Sequence, residues 1–95
     1  METKILIVED DTSILLGLKF CLEQEHFLVS TATTGKEALD KIRESIDLIL
    51  LDLNLPDMNG FDILKQVENI PVIFLMANDE EVSIVQGLDM GAEDY

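Results

Sequence analysis

Apolar residues fall along this chain in two alternating rhythms. Residues 5–8 (Ile-Leu-Ile-Val), 48–51 (Leu-Ile-Leu-Leu) and 72–76 (Val-Ile-Phe-Leu-Met) are short unbroken apolar runs. Runs of that length, set off by charged residues or proline, predict strands buried on both faces of a parallel sheet. Residues 27–32 carry more hydroxyls and predict an outer strand. Between these runs the apolar positions recur at helical spacing. One set is Ile14, Leu15, Leu18, Cys21 and Leu22, placing Cys21 in the core, with Thr12 and Ser13 as caps. A second is Ala38, Leu39 and Ile42, opened by Thr34 with Glu37 three residues later, the spacing of a capping box. A third is Phe61, Ile63, Leu64 and Val67 behind Asn59. The fourth is Val82, Val85 and Leu88, with Asn78-Asp79 as its cap and Gly91 as its stop. His26 falls at a connection, without a second histidine or a nearby thiol, and reads as a surface or turn residue.

The order is β-α-β-α-β-α-β-α. That alternation predicts a doubly wound α/β domain with right-handed crossovers and helices on both faces of a parallel sheet. No linker, repeat or low-complexity tract breaks it. Residues 91–95 fall where a fifth strand would begin, so the expectation is one domain over 1–95 that lacks its last strand and helix. The run 72–76 would then be an uncovered apolar edge, guarded only by Pro71. An edge of that kind predicts a homodimer through edge pairing or strand exchange.

Composition narrows the setting. Ninety-five residues, 47% hydrophobic, make one small domain able to bury a core without staples. A single cysteine excludes an internal disulfide, no apolar run approaches a membrane span, and no signal peptide is visible, so a cytoplasmic location is expected. Asp and Glu number 20 against 6 Lys and Arg, a net charge of −14. A balance so acidic argues against nucleic-acid binding by this segment.

Most of these acids are a solvated surface. Glu9-Asp10 and Asp52 differ, because each directly follows an apolar strand. Ligands of open α/β sheets bind at the carboxyl ends of strands. If the first and third strands are neighbours, about 4.8 Å apart, three carboxylates converge. Like charges so close call for a cation, and Mg²⁺ suits one or two carboxylates plus water. Asp11 reads instead as a helix cap. A carboxylate beside Mg²⁺ is also a possible nucleophile toward phosphorus.

At this point a family pattern is visible. Residues 7–11 (Ile-Val-Glu-Asp-Asp), 50–60 (Leu-Leu-Asp-Leu-Asn-Leu-Pro-Asp-Met-Asn-Gly) and 91–95 (Gly-Ala-Glu-Asp-Tyr) resemble the receiver domain of two-component response regulators. The likeness is strongest to regulators with a winged-helix output domain. It implies the flavodoxin-like sheet order 2-1-3-4-5, here cut to 2-1-3-4. It makes Asp52 the phosphoacceptor and Glu9, Asp10, Asp52 and the Asn54 backbone carbonyl the Mg²⁺ ligands. The implied partner is a sensor histidine kinase.

Two departures go with the resemblance. Where the family carries Thr or Ser after the fourth strand, this chain has Met76, a thioether that donates no hydrogen bond. The family's lysine would fall just beyond Tyr95, itself at the family's aromatic switch position. Two readings follow, a phosphorylation switch and a phosphorylation-impaired pseudo-receiver working through protein contacts. A metal-dependent phosphohydrolase is disfavoured, because Asn54 stands where its second carboxylate would be.

Overall fold

The computed structural model describes residues 2–75 and the backbone of 82–86. Its strands are β1 (Lys4–Val8), β2 (Leu28–Ala32), β3 (Leu48–Asp52), β4 (Pro71–Leu75) and β5 (Val82–Gln86). Its helices are α1 (Thr12–Gln24), α2 (Gly35–Lys41) and α3 (Gly60–Leu64). The sheet order is β2-β1-β3-β4-β5. The four strands β2, β1, β3 and β4 are parallel, in the order 2-1-3-4 that the resemblance implies.

Strand alternation divides the core in two. Leu6, Val8, Ile49, Leu51, Val72 and Phe74 point to the face covered by α2 and α3, where they meet Ala38, Ile63 and Leu64. Ile5, Ile7 and Leu50 point to the other face, where Leu15 of α1 is the buried helical residue and Leu18 and Leu22 pack beside it. The first face is the thicker one. On the second, Leu48, Ile73 and Leu75 are only half-buried.

The helix ends follow local chemistry. Asp11, not Thr12 or Ser13, caps α1, accepting the Ser13 and Ile14 amides at 2.9 and 3.3 Å. A free carboxylate one residue earlier competes better for amides beside the positive end of a helix than a hydroxyl does. Thr34 caps α2 through the Glu37 amide, and Glu37 reaches back to the Thr33 amide rather than that of Thr34. Asn59 caps α3 through Phe61 at 2.7 Å. His26 closes α1 with φ 71°, its amide on the Glu23 carbonyl and that of Phe27 on Leu22. That pair of bonds is a Schellman motif, with His26 in the left-handed place glycine usually takes.

Two expectations are corrected. Cys21 is exposed, not core. The buried stripe of α1 runs Leu15–Leu18–Leu22, and Ile14 and Cys21, about 100° round the helix from it, fall on its flank. Residues 82–86 form a strand, not part of a helix, and pair antiparallel with β4. Their Val-Ser-Ile-Val sequence is rich in β-branched residues, and the edge of β4 offers unpaired backbone groups. That edge is therefore covered, which removes the premise from which a homodimer was expected. The remainder of the expected fourth helix, with its Asn78-Asp79 cap and Gly91 stop, lies outside the described residues.

Candidate functional site

The carboxyl edge of the sheet is acidic because two strands end in acids side by side. β1 and β3 are neighbours with Val8 beside Leu51, so Glu9 and Asp52 occupy the next step of the register. Glu9 still holds the sheet through its amide, which donates to the Ala32 carbonyl at 3.0 Å. Both acids are buried, Glu9 at 5% and Asp52 at 6% exposure, whereas Asp10 is exposed. One carboxylate oxygen from each of Glu9, Asp10 and Asp52 lies within 4.8 Å of the others. Among the described residues no Lys or Arg forms an ion pair with any of the three.

Each buried acid is aimed by a backbone donor. The Asp11 amide donates to Glu9 Oε2 at 3.1 Å, and the Asn54 amide to Asp52 Oδ1 at 3.2 Å. The second contact turns the chain directly after β3, as Asp commonly does two residues on. Burial pushes the Glu9 carboxyl up to about 7, against the pull of the Asp11 amide and with the added repulsion of Asp52 and Asp10. Burial likewise raises Asp52, with the Asn54 amide opposing it. Both groups therefore give up a proton less readily than an exposed carboxylate does.

The loop after β3 is short and closed on itself. Asn54 and Asn59 form an isolated bridge, and the Gly60 amide donates to the Leu53 carbonyl at 2.8 Å. Gly60 has to be glycine here, since a Cβ would sit 2.7 Å from the Asp52 carbonyl oxygen and 2.9 Å from Leu53 Cα.

The structure thus brings together Glu9, Asp10 and Asp52 and sets Asn54 two residues away. Met76 and Tyr95 lie outside the described residues. Leu75, paired in register with Asp52, is the last described residue of β4. Sequence reasoning missed Asp57, which accepts the Gly35 and Lys36 amides at 2.7 and 3.0 Å. Its Pro-Asp context signals a turn, but its partners are more than 20 positions away.

A parallel sheet of order 2-1-3-4 with acids clustered at its carboxyl edge defines a CheY-like signalling domain. The family model of the response regulator receiver domain matches residues 5–95, and the chain belongs to that family. It is 47% identical to the transcriptional regulatory protein CpxR of Escherichia coli K12, over 97% of this chain and 41% of that protein. It is 43% identical to the alkaline phosphatase synthesis transcriptional regulatory protein PhoP of Bacillus subtilis, over 100% of this chain and 42% of that protein. The chain thus spans about two-fifths of the length of these relatives. Among solved structures, a CheY-like receiver domain protein from Methanospirillum hungatei superposes with a TM-score of 0.79 at 37% identity, covering 83% of this chain and 67% of that one. The non-phosphorylated HemR receiver domain from Leptospira biflexa gives 0.76 at 40%, covering 81% and 66%. No helix among the described residues is long and apolar enough to cross a membrane.

Proposed function

We propose that residues 1–95 act as the phosphoacceptor module of a two-component relay in the cytoplasm, taking a phosphoryl group on Asp52 from a phosphohistidine of a sensor kinase. One observation carries the proposal: Glu9, Asp10 and Asp52 converge at the carboxyl edge of the sheet, two of them buried, with no cationic partner among the described residues. That cluster fits a hard divalent cation. Glu9, Asp10, Asp52 and the Asn54 carbonyl would hold Mg²⁺, which when bound neutralises charge on the transferring phosphoryl oxygens.

The chain's own part is nucleophilic. An Asp52 carboxylate oxygen attacks phosphorus, the bond from phosphorus to the donor imidazole breaks, and the imidazole leaves with a proton from solvent. The Asn54 amide holds one Asp52 oxygen, which leaves the other as the attacking atom. The product is an acyl phosphate that stays on the protein, which makes the module an acceptor and not a turnover enzyme. Nothing in its charge favours direct binding to nucleic acid.

A second reading, the phosphorylation-impaired receiver, is favoured by one residue. Leu75 pairs with Asp52, and the next residue in sequence is Met76, which has no hydroxyl to offer a phosphoryl oxygen. Loss of one such donor lowers a rate by roughly 10²–10³.

One experiment addresses both readings. The protein is incubated with Mg²⁺ and a small acyl phosphate donor and weighed intact. Slow gain of one phosphoryl group, absent in Asp52→Ala and faster in Met76→Thr, is the expected result. Labelling that survives Asp52→Ala rules out the acceptor assignment.

A further inference from the structure

The loop after β3 is fastened to the rest of the fold in two ways. Leu53, Leu55 and Met58 pack against the core, a contact without directional preference. The directional contact is Asp57. Its two carboxylate oxygens accept separate amides from the start of α2, Gly35 to Oδ1 at 2.7 Å and Lys36 to Oδ2 at 3.0 Å. Thr34 already caps that helix through Glu37, so Asp57 takes donors the cap leaves over. Those two amides hold the Asp57 carboxyl below its ordinary value. Next to it, Met58 lies over Gly35, where a Cβ would stand 2.3 Å from the Met58 Cγ. The bare α-carbon of Gly35 lets loop and helix approach this closely. Among the described residues, the other hydrogen bonds of the loop stay within it, return to Asp52 at the end of β3, or reach its own helix, α3.

We infer that Asp57 is a positioning residue: clasped by the Gly35 and Lys36 amides, it sets where the loop after β3 holds Asn54, and so tunes the affinity of the acidic site for a divalent cation. The inference rests on the proposed Mg²⁺ site. Asn54 serves that site twice, through the carbonyl proposed as a ligand and through the amide that aims Asp52. Two residues, Leu55 and Pro56, separate Asn54 from Asp57, and the Asn54–Asn59 bridge makes the loop one stiff unit. A shift at Asp57 therefore moves Asn54 as well. Reciprocity follows, because cation binding that draws on Asn54 must also act on the clasp.

If Asp57 only caps α2, removing it lowers stability and leaves cation binding alone. The test is Asp57→Asn, which keeps the shape and one acceptor but turns an NH₂ toward the second amide. Mg²⁺ affinity is measured by titration calorimetry well below the melting temperature, beside wild type, Asp52→Ala and Thr34→Ala. Loss of a direct partner to a metal ligand typically weakens binding 10–100-fold; Asp57 acts one step further out, through the loop, so the low end, roughly tenfold, is expected for Asp57→Asn. Thr34→Ala, which uncaps the same helix without touching the loop, is expected to melt earlier and bind Mg²⁺ as wild type does. In wild type the Gly35 and Lys36 amide resonances are expected to move on Mg²⁺ addition.

Should Asp57→Asn unfold, Asp57→Glu, which keeps the charge but lengthens the arm to the two amides by one methylene, takes its place, and a loss of affinity in the same direction is expected. Wild-type affinity in the Asp57 variant that folds overturns the inference and leaves the metal site standing. Wild type that binds no Mg²⁺ overturns both.

Discussion

Glu9 makes a quantitative prediction about pH. Its carboxyl rises from 4.5 to about 7 in the folded chain because it is buried beside Asp52 and Asp10. Between those values the folded chain keeps a proton that the unfolded chain has released. Folding is therefore favoured at the acid end of the window, and stability falls as pH rises through it. At about 1.4 kcal/mol per tenfold change in proton affinity, the full penalty above the window has an upper limit of roughly 3.5 kcal/mol. Relaxation of the site trims that to roughly 2–3 kcal/mol, or about 10–20 °C in melting temperature for a domain of this size. The raised Asp52 acts in the same direction. Circular dichroism melts in EDTA, from about pH 5 to about pH 8, measure the effect. Glu9→Gln keeps an acceptor for the Asp11 amide and removes the charge, so it is expected to melt higher than wild type at the alkaline end and to flatten the profile. Mg²⁺ is expected to restore wild-type stability there by binding the folded state. A wild-type melting temperature that is flat or rising across the window without divalent ions refutes the reasoning.

Three further outcomes follow from packing and backbone geometry. Gly60→Ala gains about 1 kcal/mol of helix propensity but forces its Cβ against backbone atoms of Asp52 and Leu53. Overpacking of about 1–3 kcal/mol wins, so urea unfolding is expected to show a net loss of up to about 2 kcal/mol. His26→Gly relieves the left-handed backbone at φ 71° and is expected to raise stability by about 0.5–1 kcal/mol in the same assay. Phe74, 2% exposed and 5.1 Å from the Phe61 ring, is expected to cost about 3–5 kcal/mol as Phe74→Ala, visible as loss of cooperative melting.

The acidic site was legible because it depends on strand ends. Unbroken apolar runs that end abruptly in acids locate Glu9 and Asp52 without knowing the sheet, and parallel neighbours then bring them together. Cys21 misled because a helical stripe has two flanks, and periodicity alone does not say which one the sheet covers. Residues 82–86 misled because Val82 and Val85 fit helical spacing, while their β-branched side chains suit a strand once an open edge is available. Asp57 was invisible for a different reason. A turn aspartate looks the same whether its oxygens face water or two amides of a distant helix.

The sheet order also governs how the domain comes into being. β1 lies between β2 and β3, and the ties that close its β3 side, between Lys4 and Asp47, span 43 residues. On a ribosome adding about 5–20 residues each second, the apolar segment at the start of the chain waits seconds for that partner. Such non-local pairing folds more slowly than a helical bundle of equal size. Glu9 and Asp52 become neighbours only in that step, so the acidic cluster forms together with the centre of the sheet. A cation held by the proposed site would therefore report the docking of β1 on β3 during refolding.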